Sequence, residues 1–144
     1  EEMNAQVTES VAWCHGAAGV LLGRVNAAAY ISDGDIQSIL QRDITRGLEK
    51  LKQTPRRRGY CLCHGNTGNI GILMDYARKN KDQDILMECT CYVNELASGI
   101  YDGSLELMLQ EDQNVGLMTG LAGIGYVMLR ALHPELPDIM AVEI

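Results

Sequence analysis

No run of about 18 consecutive apolar residues occurs in this 144-residue sequence, which excludes a bilayer-crossing helix within it. Positive charge is scarce as well: 12 basic residues face 19 acidic ones, for a net charge of −7. A phosphate backbone would favour the opposite balance, so nucleic acid is not an expected partner. The opening residues lack a basic stretch ahead of a short apolar core, the pattern of a secretory signal. Instead EEMNAQVTESVAW reads as the middle of a helical region, and the expectation is a piece of a larger domain. Nor is the composition that of a disordered chain. Hydrophobic residues make up 47% and charged residues 22%, which reads as globular, and the length suits one domain or part of one.

What is present begins with five cysteines, Cys14, Cys61, Cys63, Cys89 and Cys91. The count is odd and the composition is not that of a small secreted domain. Free thiols in a reducing cytoplasm, available to a metal, fit better than a disulfide framework. Cys89 shares one apolar stripe at helical spacing with Ile85, Leu86, Val93, Leu96 and Ala97, and reads as a small core hydrophobe. No pattern places Cys61 or Cys91.

A Gly-centred motif recurs three times: CHGAAGVLLG from Cys14, CHGNTGNIGI from Cys63 and MTGLAGIGYV from Met118, at intervals of 49 and 55 residues. Self-similarity at such spacing marks a repeat architecture. Between the copies the apolar period is helical. Ile36, Ile39, Leu40, Ile44, Leu48 and Leu51 line one face of a helix, with SDGD at 32–35 offering N-caps and TPRRRG at 54–59 ending it. A similar helix is expected over roughly 83–98. The runs after each Gly-x-x-Gly are more uniformly apolar, as in helices buried nearly all round. Each repeat therefore reads as an outer amphipathic helix, a Gly-rich turn using left-handed angles or close backbone approach, and an inner helix. The fold class is all-α, with stacked helical hairpins forming a solenoid or a closed ring. Asp-Gly within 101–114 suggests a short β-hairpin insertion.

The glycines suit a turn that any repeat would need, but the cysteines do not follow from that. The third copy has Met118 and Thr119 where the others have Cys-His, so Cys-His is an addition to the turn. If the turns share a rim, Cys14, Cys63 and His64 meet. Thiolate and imidazole are the ligands zinc prefers, and three of them leave a fourth position open for chemistry. A closed set that also uses His15 would make the metal structural instead.

The segments WCHG, CLCHGNTGN and GLMTGLAGIGYVMLRALHPELPDIMAVEI resemble the C-terminal part of the lanthionine synthetase cyclase-like family. They are most similar to the cyclase domain of class II (bifunctional, M-type) lanthipeptide synthetases. The resemblance implies an α/α toroid of seven hairpins, of which this chain holds three, and a zinc held by Cys14, Cys63 and His64. Residues 1–144 are then a C-terminal fragment of a zinc-dependent cyclase domain. In the implied reaction a precursor-peptide cysteine adds to dehydroalanine or dehydrobutyrine and forms a thioether. Zinc supplies the thiolate, and a general acid protonates carbon. The family's acid lies in repeats outside this chain. His15, where several relatives have Tyr, is the catalytic candidate here, with a structural hydrogen bond as its other reading. Some members carry an Arg where this chain has Ser10. His133 reads as solvated, and Arg56, Arg57 and Arg58 as a solvated turn, with contact to an acidic leader peptide as the alternative.

Two functions compete: a thioether cyclase, and a zinc-stabilised helical repeat that binds peptides without chemistry. A toroidal glycosidase would need two facing carboxylates on loop ends, and the Gly-rich turns carry none. Hairpins cut from a ring leave inner helices without neighbours, so a dimer or larger oligomer is expected.

Overall fold

The computed structural model describes residues 10–53, 59–107 and 112–141. Among the described residues five helices run in order: α1 (Ala17–Ala28), α2 (Gly34–Gln53), α3 (Asn66–Asn80), α4 (Gln83–Asp102) and α5 (Leu121–Leu132). No strand occurs among the described residues. The expected all-α repeat is what the chain forms. The β-hairpin expected over 101–114 is absent from the described part of that segment, because α4 continues through Asp102 and Gly103 then caps it at φ 73. Residues 108–111 and the arginine run at 56–58 lie outside the described residues.

Local chemistry sets the helix starts. Asp33, inside the SDGD segment, accepts from the amides of Asp35 and Ile36 at 3.0 Å each. Asp82 does the same for Ile85 at 3.0 Å. A cap of this kind is worth about 1 kcal/mol. The α2 helix is described through Gln53, and most of the TPRRRG segment expected to end it, residues 54–58, lies outside the described residues.

Helices α1, α3 and α5 are the inner ones: α1 packs on α3, and α3 on α5. The outer helices α2 and α4 pack mainly on α1 and α3, each on the inner helix that precedes it. Their apolar stripes explain the preference. Leu40, Ile44 and Leu51 of α2 are buried, and Gly47 there lets the Leu21 side chain of α1 approach within 3.1 Å of a would-be Cβ. On α4, Ile85, Cys89, Val93 and Leu96 are buried, which places Cys89 in the core as its spacing indicated. Leu21, Leu62, Ile72, Met74, Val127 and Met140 join the layers into one core.

Of the inner helices, α3 is buried nearly all round, as expected, whereas α1 and α5 are not. Val20, Leu129 and Leu132 are 55%, 50% and 75% exposed. The reason is position: α3 has an inner neighbour on both sides, while α1 and α5 end the row. After α5 the chain doubles back without helix. There Met140 sits against Gly71 and reaches within 2.9 Å of where a Cβ would be.

Candidate metal centre

The three Gly-rich turns are copies of one backbone arrangement. In each, the first helical amide donates to a carbonyl seven residues earlier: Ala17 to Ser10 at 3.0 Å, Asn66 to Gly59 at 2.9 Å, and Leu121 to Asn114 at 2.8 Å. The second glycine is pressed on the chain in the same way each time. A Cβ on Gly19, Gly68 or Gly123 would lie 2.0, 1.9 and 1.9 Å from the carbonyl oxygen of Trp13, Leu62 and Leu117. The first glycines have φ of −165°, −100° and −135°. Close approach is therefore what requires glycine here, and the left-handed angles offered as the other reason are not used.

The turns also bond to one another at equivalent positions. The amide of Cys14 donates to the carbonyl of Cys63 at 3.3 Å, and the amide of Cys63 to that of Met118 at 2.8 Å. This ladder along the rim turns a separation of 49 residues in sequence into contact in space. The thiols of Cys14 and Cys63 and a ring nitrogen of His64 come within 4.8 Å of one another. Among the described residues this is the one cluster of three or more His, Cys, Asp or Glu donors. Cys14 and His64 are exposed and Cys63 is half-buried, so the cluster is open to an incoming chain.

Its electrostatics match a cation. Burial pushes the Cys63 thiol up to about 11, and the hydrogen bond and charge of Cys14, then the charge of Cys61, add to the rise. Two adjacent thiolates repel when nothing positive lies between them. A divalent ion would remove that penalty, and the donor set of two sulfurs and one imidazole is that of zinc rather than of calcium or magnesium. Donor atoms within 4.8 Å of one another would suit an ion whose ligand bonds are about 2.0–2.3 Å.

His15 lies apart from the trio but touches it. Its Nδ1 is 3.0 Å from Cys14 Sγ, and the residue is exposed. Cys61 is buried and outside the cluster, with its carbonyl accepting from the Gly65 amide at 3.0 Å. Cys91 is exposed on α4. Ser10 contributes its carbonyl to the first turn, and its hydroxyl accepts from the Ala12 amide at 3.3 Å. His133 is exposed and pairs with Glu135 at 3.1 Å. The open cleft between α1 and α2, lined by Ala17, Val20, Asp43 and Lys50, includes none of Cys14, Cys63 and His64.

Residues 2–144 match the lanthionine synthetase C-like protein family. The chain belongs to that family. Its row of inner helices with outer helices packed on them is accordingly part of an α/α toroid. The chain is 28% identical over 133 residues to the lacticin 481/lactococcin biosynthesis protein LcnDR2 of Lactococcus lactis subsp. lactis, over 85% of this chain and 14% of that protein. It thus spans about one-seventh of the length of that relative. No solved structure matches it.

One polar cluster of this family member had no counterpart in the sequence reading. Arg130 of α5, 3% exposed, meets Asp75 of α3 at 2.5 Å and Asp138 of the C-terminal segment at 3.5 Å. Asp75 and Asp138 are 5% and 0% exposed. Arg78 donates to the Arg130 carbonyl at 2.6 Å. The signal was available: Asp75 and Arg130 are charges inside the runs NIGILMDYA and IGYVMLRAL, whose helices had been read as buried. A buried charge needs a partner.

Proposed function

We propose that this chain is part of the cyclase of a lanthipeptide synthetase, which adds cysteine thiols of a precursor peptide to dehydroalanine or dehydrobutyrine to give lanthionine or methyllanthionine thioethers. The observation that carries the proposal is the meeting of Cys14, Cys63 and His64 within 4.8 Å, from separate repeats, in a member of the lanthionine synthetase C-like family. Those three residues would hold zinc. The ion would make a thiol nucleophilic at neutral pH.

The chain's own residues would do the rest of the local work. The exposed rim admits the peptide, and the ladder from Cys14 to Met118 holds the ligands in register. The thiol loses its proton as sulfur bonds to the β-carbon, and the α-carbon gains one, so the reaction needs a proton carrier and no net proton. His15 is the proposed carrier in this chain, with its Nδ1 engaged by Cys14 and Nε2 as the nitrogen left to move the proton.

A peptide-binding module without chemistry would close the metal with four protein ligands. Among the described residues three donors cluster, which favours the enzyme. The proposed setting is a reducing cytoplasm, where all five cysteines stay as the free thiols they are here. No described helix is long and apolar enough to cross a membrane. The proposed partners are the precursor peptide and a second copy of the chain.

Elemental analysis of the purified chain tests the metal assignment. About one zinc per chain is expected, with the content lost in Cys63→Ala. Equal zinc in the two proteins would refute the site.

A further inference from the structure

We infer that His15 is a positioning residue for the metal ligand Cys14: its Nδ1–H holds the Cys14 sulfur as a ligand and keeps it from reacting as a nucleophile. The inference rests on the metal reading above and concerns a contact which that reading does not require. Cys14 Sγ and His15 Nδ1 are 3.0 Å apart, well inside the range of a hydrogen bond to sulfur. A thiol could donate to the ring or accept from it. A metal-bound sulfur carries no hydrogen, so in the loaded site the ring nitrogen must be the donor. This also fixes the neutral ring as the Nδ1–H tautomer, with Nε2 bare.

The need for such a donor follows from the proposed chemistry. The site would place up to three sulfurs beside an electrophilic alkene: Cys14, Cys63 and the peptide thiol. Only the last should form the new C–S bond, because alkylation of a ligand destroys the site. Cys63 is half-buried, whereas Cys14 is exposed and has no shelter of that kind. A charge-assisted hydrogen bond occupies a sulfur lone pair and lowers its reactivity, and the incoming thiol receives no such bond from His15. Of the hydrogen bonds the structure describes to the ligand thiols, this one comes from a side chain that is itself no ligand.

The test uses the zinc-loaded chain and two variants. His15→Phe keeps the ring volume and removes the donor, while His15→Asn puts an amide N–H close to where Nδ1 stood. His15 is exposed, so neither change disturbs the core. Zinc affinity is measured by competition with a chromophoric chelator, and alkylation of Cys14 by iodoacetamide, with displacement of iodide, is followed by peptide mass spectrometry. His15→Phe is expected to lose zinc affinity by about 10–100-fold, the usual cost of an outer-shell partner, and to alkylate faster at Cys14. His15→Asn should restore both readouts toward the parent. Equal affinity and equal alkylation in all three proteins would overturn the inference, as would His15→Asn behaving like His15→Phe. Failure of the metal reading looks different: the parent itself would hold no zinc that Cys63→Ala removes.

Discussion

The amide of Cys63 donates to the carbonyl of Met118 at 2.8 Å, so a turn without Cys or His holds one that carries both. Met118 and Thr119 stand where Cys63 and His64 stand one repeat earlier, and the backbone contact persists without the ligands. The third turn is set in its own place by Asn114, whose side chain meets the Gly116 amide at 2.7 Å and the Thr119 hydroxyl at 2.9 Å. Its carbonyl accepts the Leu121 amide at 2.8 Å. The placement of Cys63 thus depends on the backbone of its neighbour.

Gly120→Ala should therefore weaken zinc binding although it removes no donor atom. Its Cβ would fall 1.8 Å from the Asn114 carbonyl oxygen, so the third turn must shift and Cys63 loses its anchor. A drop of about tenfold or more in zinc affinity is expected, comparable to losing an outer-shell partner. Gly23→Ala is the control. Nothing lies within 4 Å of a Cβ there, inside α1, so it should stabilise the chain by about 0.5–1 kcal/mol and leave zinc affinity alone. Chelator competition and thermal melting read both; unaltered affinity in Gly120→Ala would show that the ladder does not position Cys63.

The helices and the rim were legible because both rest on local pattern. Of the six apolar residues spaced along one face of α2, Leu40, Ile44 and Leu51 are buried, whereas Ile36 and Ile39 near its start are 46% and 47% exposed; three Gly-x-x-Gly copies announce three equivalent turns. Packing order was not legible. Nothing local says that α2 prefers α1 over α3, since that choice depends on where Gly47 opens room for Leu21. The buried Asp75–Arg130–Asp138 cluster was also missed, because its members meet across 55 and 8 residues of sequence. The role of the glycines was half legible: the residue type was right, and only coordinates separate close approach from a left-handed turn.

That cluster makes stability depend on pH. Burial raises the Asp75 carboxyl from 3.8 to about 7; the hydrogen bond and charge of Asp138 add to this, while Arg130 opposes it. Arg78, itself lowered by burial and by Arg130, also faces Asp75. The folded chain thus keeps a proton that the unfolded chain releases above about pH 4. The stabilisation is complete below that pH and is lost as pH rises through 7. Unfolding free energies of the parent from urea titration should fall across this window relative to those of Asp75→Asn, which imitates the protonated carboxyl, by on the order of a few kcal/mol. Parallel pH profiles would contradict the assignment.

The ends of the inner row should drive self-association. Val20 on α1 and Leu129 and Leu132 on α5 are apolar and at least half exposed, on helices with one inner neighbour each. Apolar patches of this kind favour covering by another chain. Sedimentation should show a dimer or larger species at micromolar concentration, shifted toward monomer in Leu132→Asp. That position is 75% exposed, so the change spares the core. A parent that stays monomeric up to millimolar concentration would rule this out.

The chain alone should bind zinc and yet form thioether rings no faster than zinc in solution. Holding the ion needs only Cys14, Cys63 and His64, which are together. Completing the addition also needs a proton delivered to the α-carbon, and general acid catalysis contributes about 10²–10⁴-fold. His15, the proposed carrier, is exposed and bonded to Cys14, and it can serve the α-carbon only of a peptide that is held beside it. Positioning is the larger deficit. Walls that keep a dehydrated peptide against the rim can be worth up to ~7–11 kcal/mol, and the chain spans 14% of the length of its Lactococcus relative. Incubation with a dehydrated precursor peptide, followed by counting free thiols by mass spectrometry, reads the outcome. Ring formation clearly above the zinc-only rate, lost in His15→Phe, would show instead that these five helices and one histidine suffice for the chemistry.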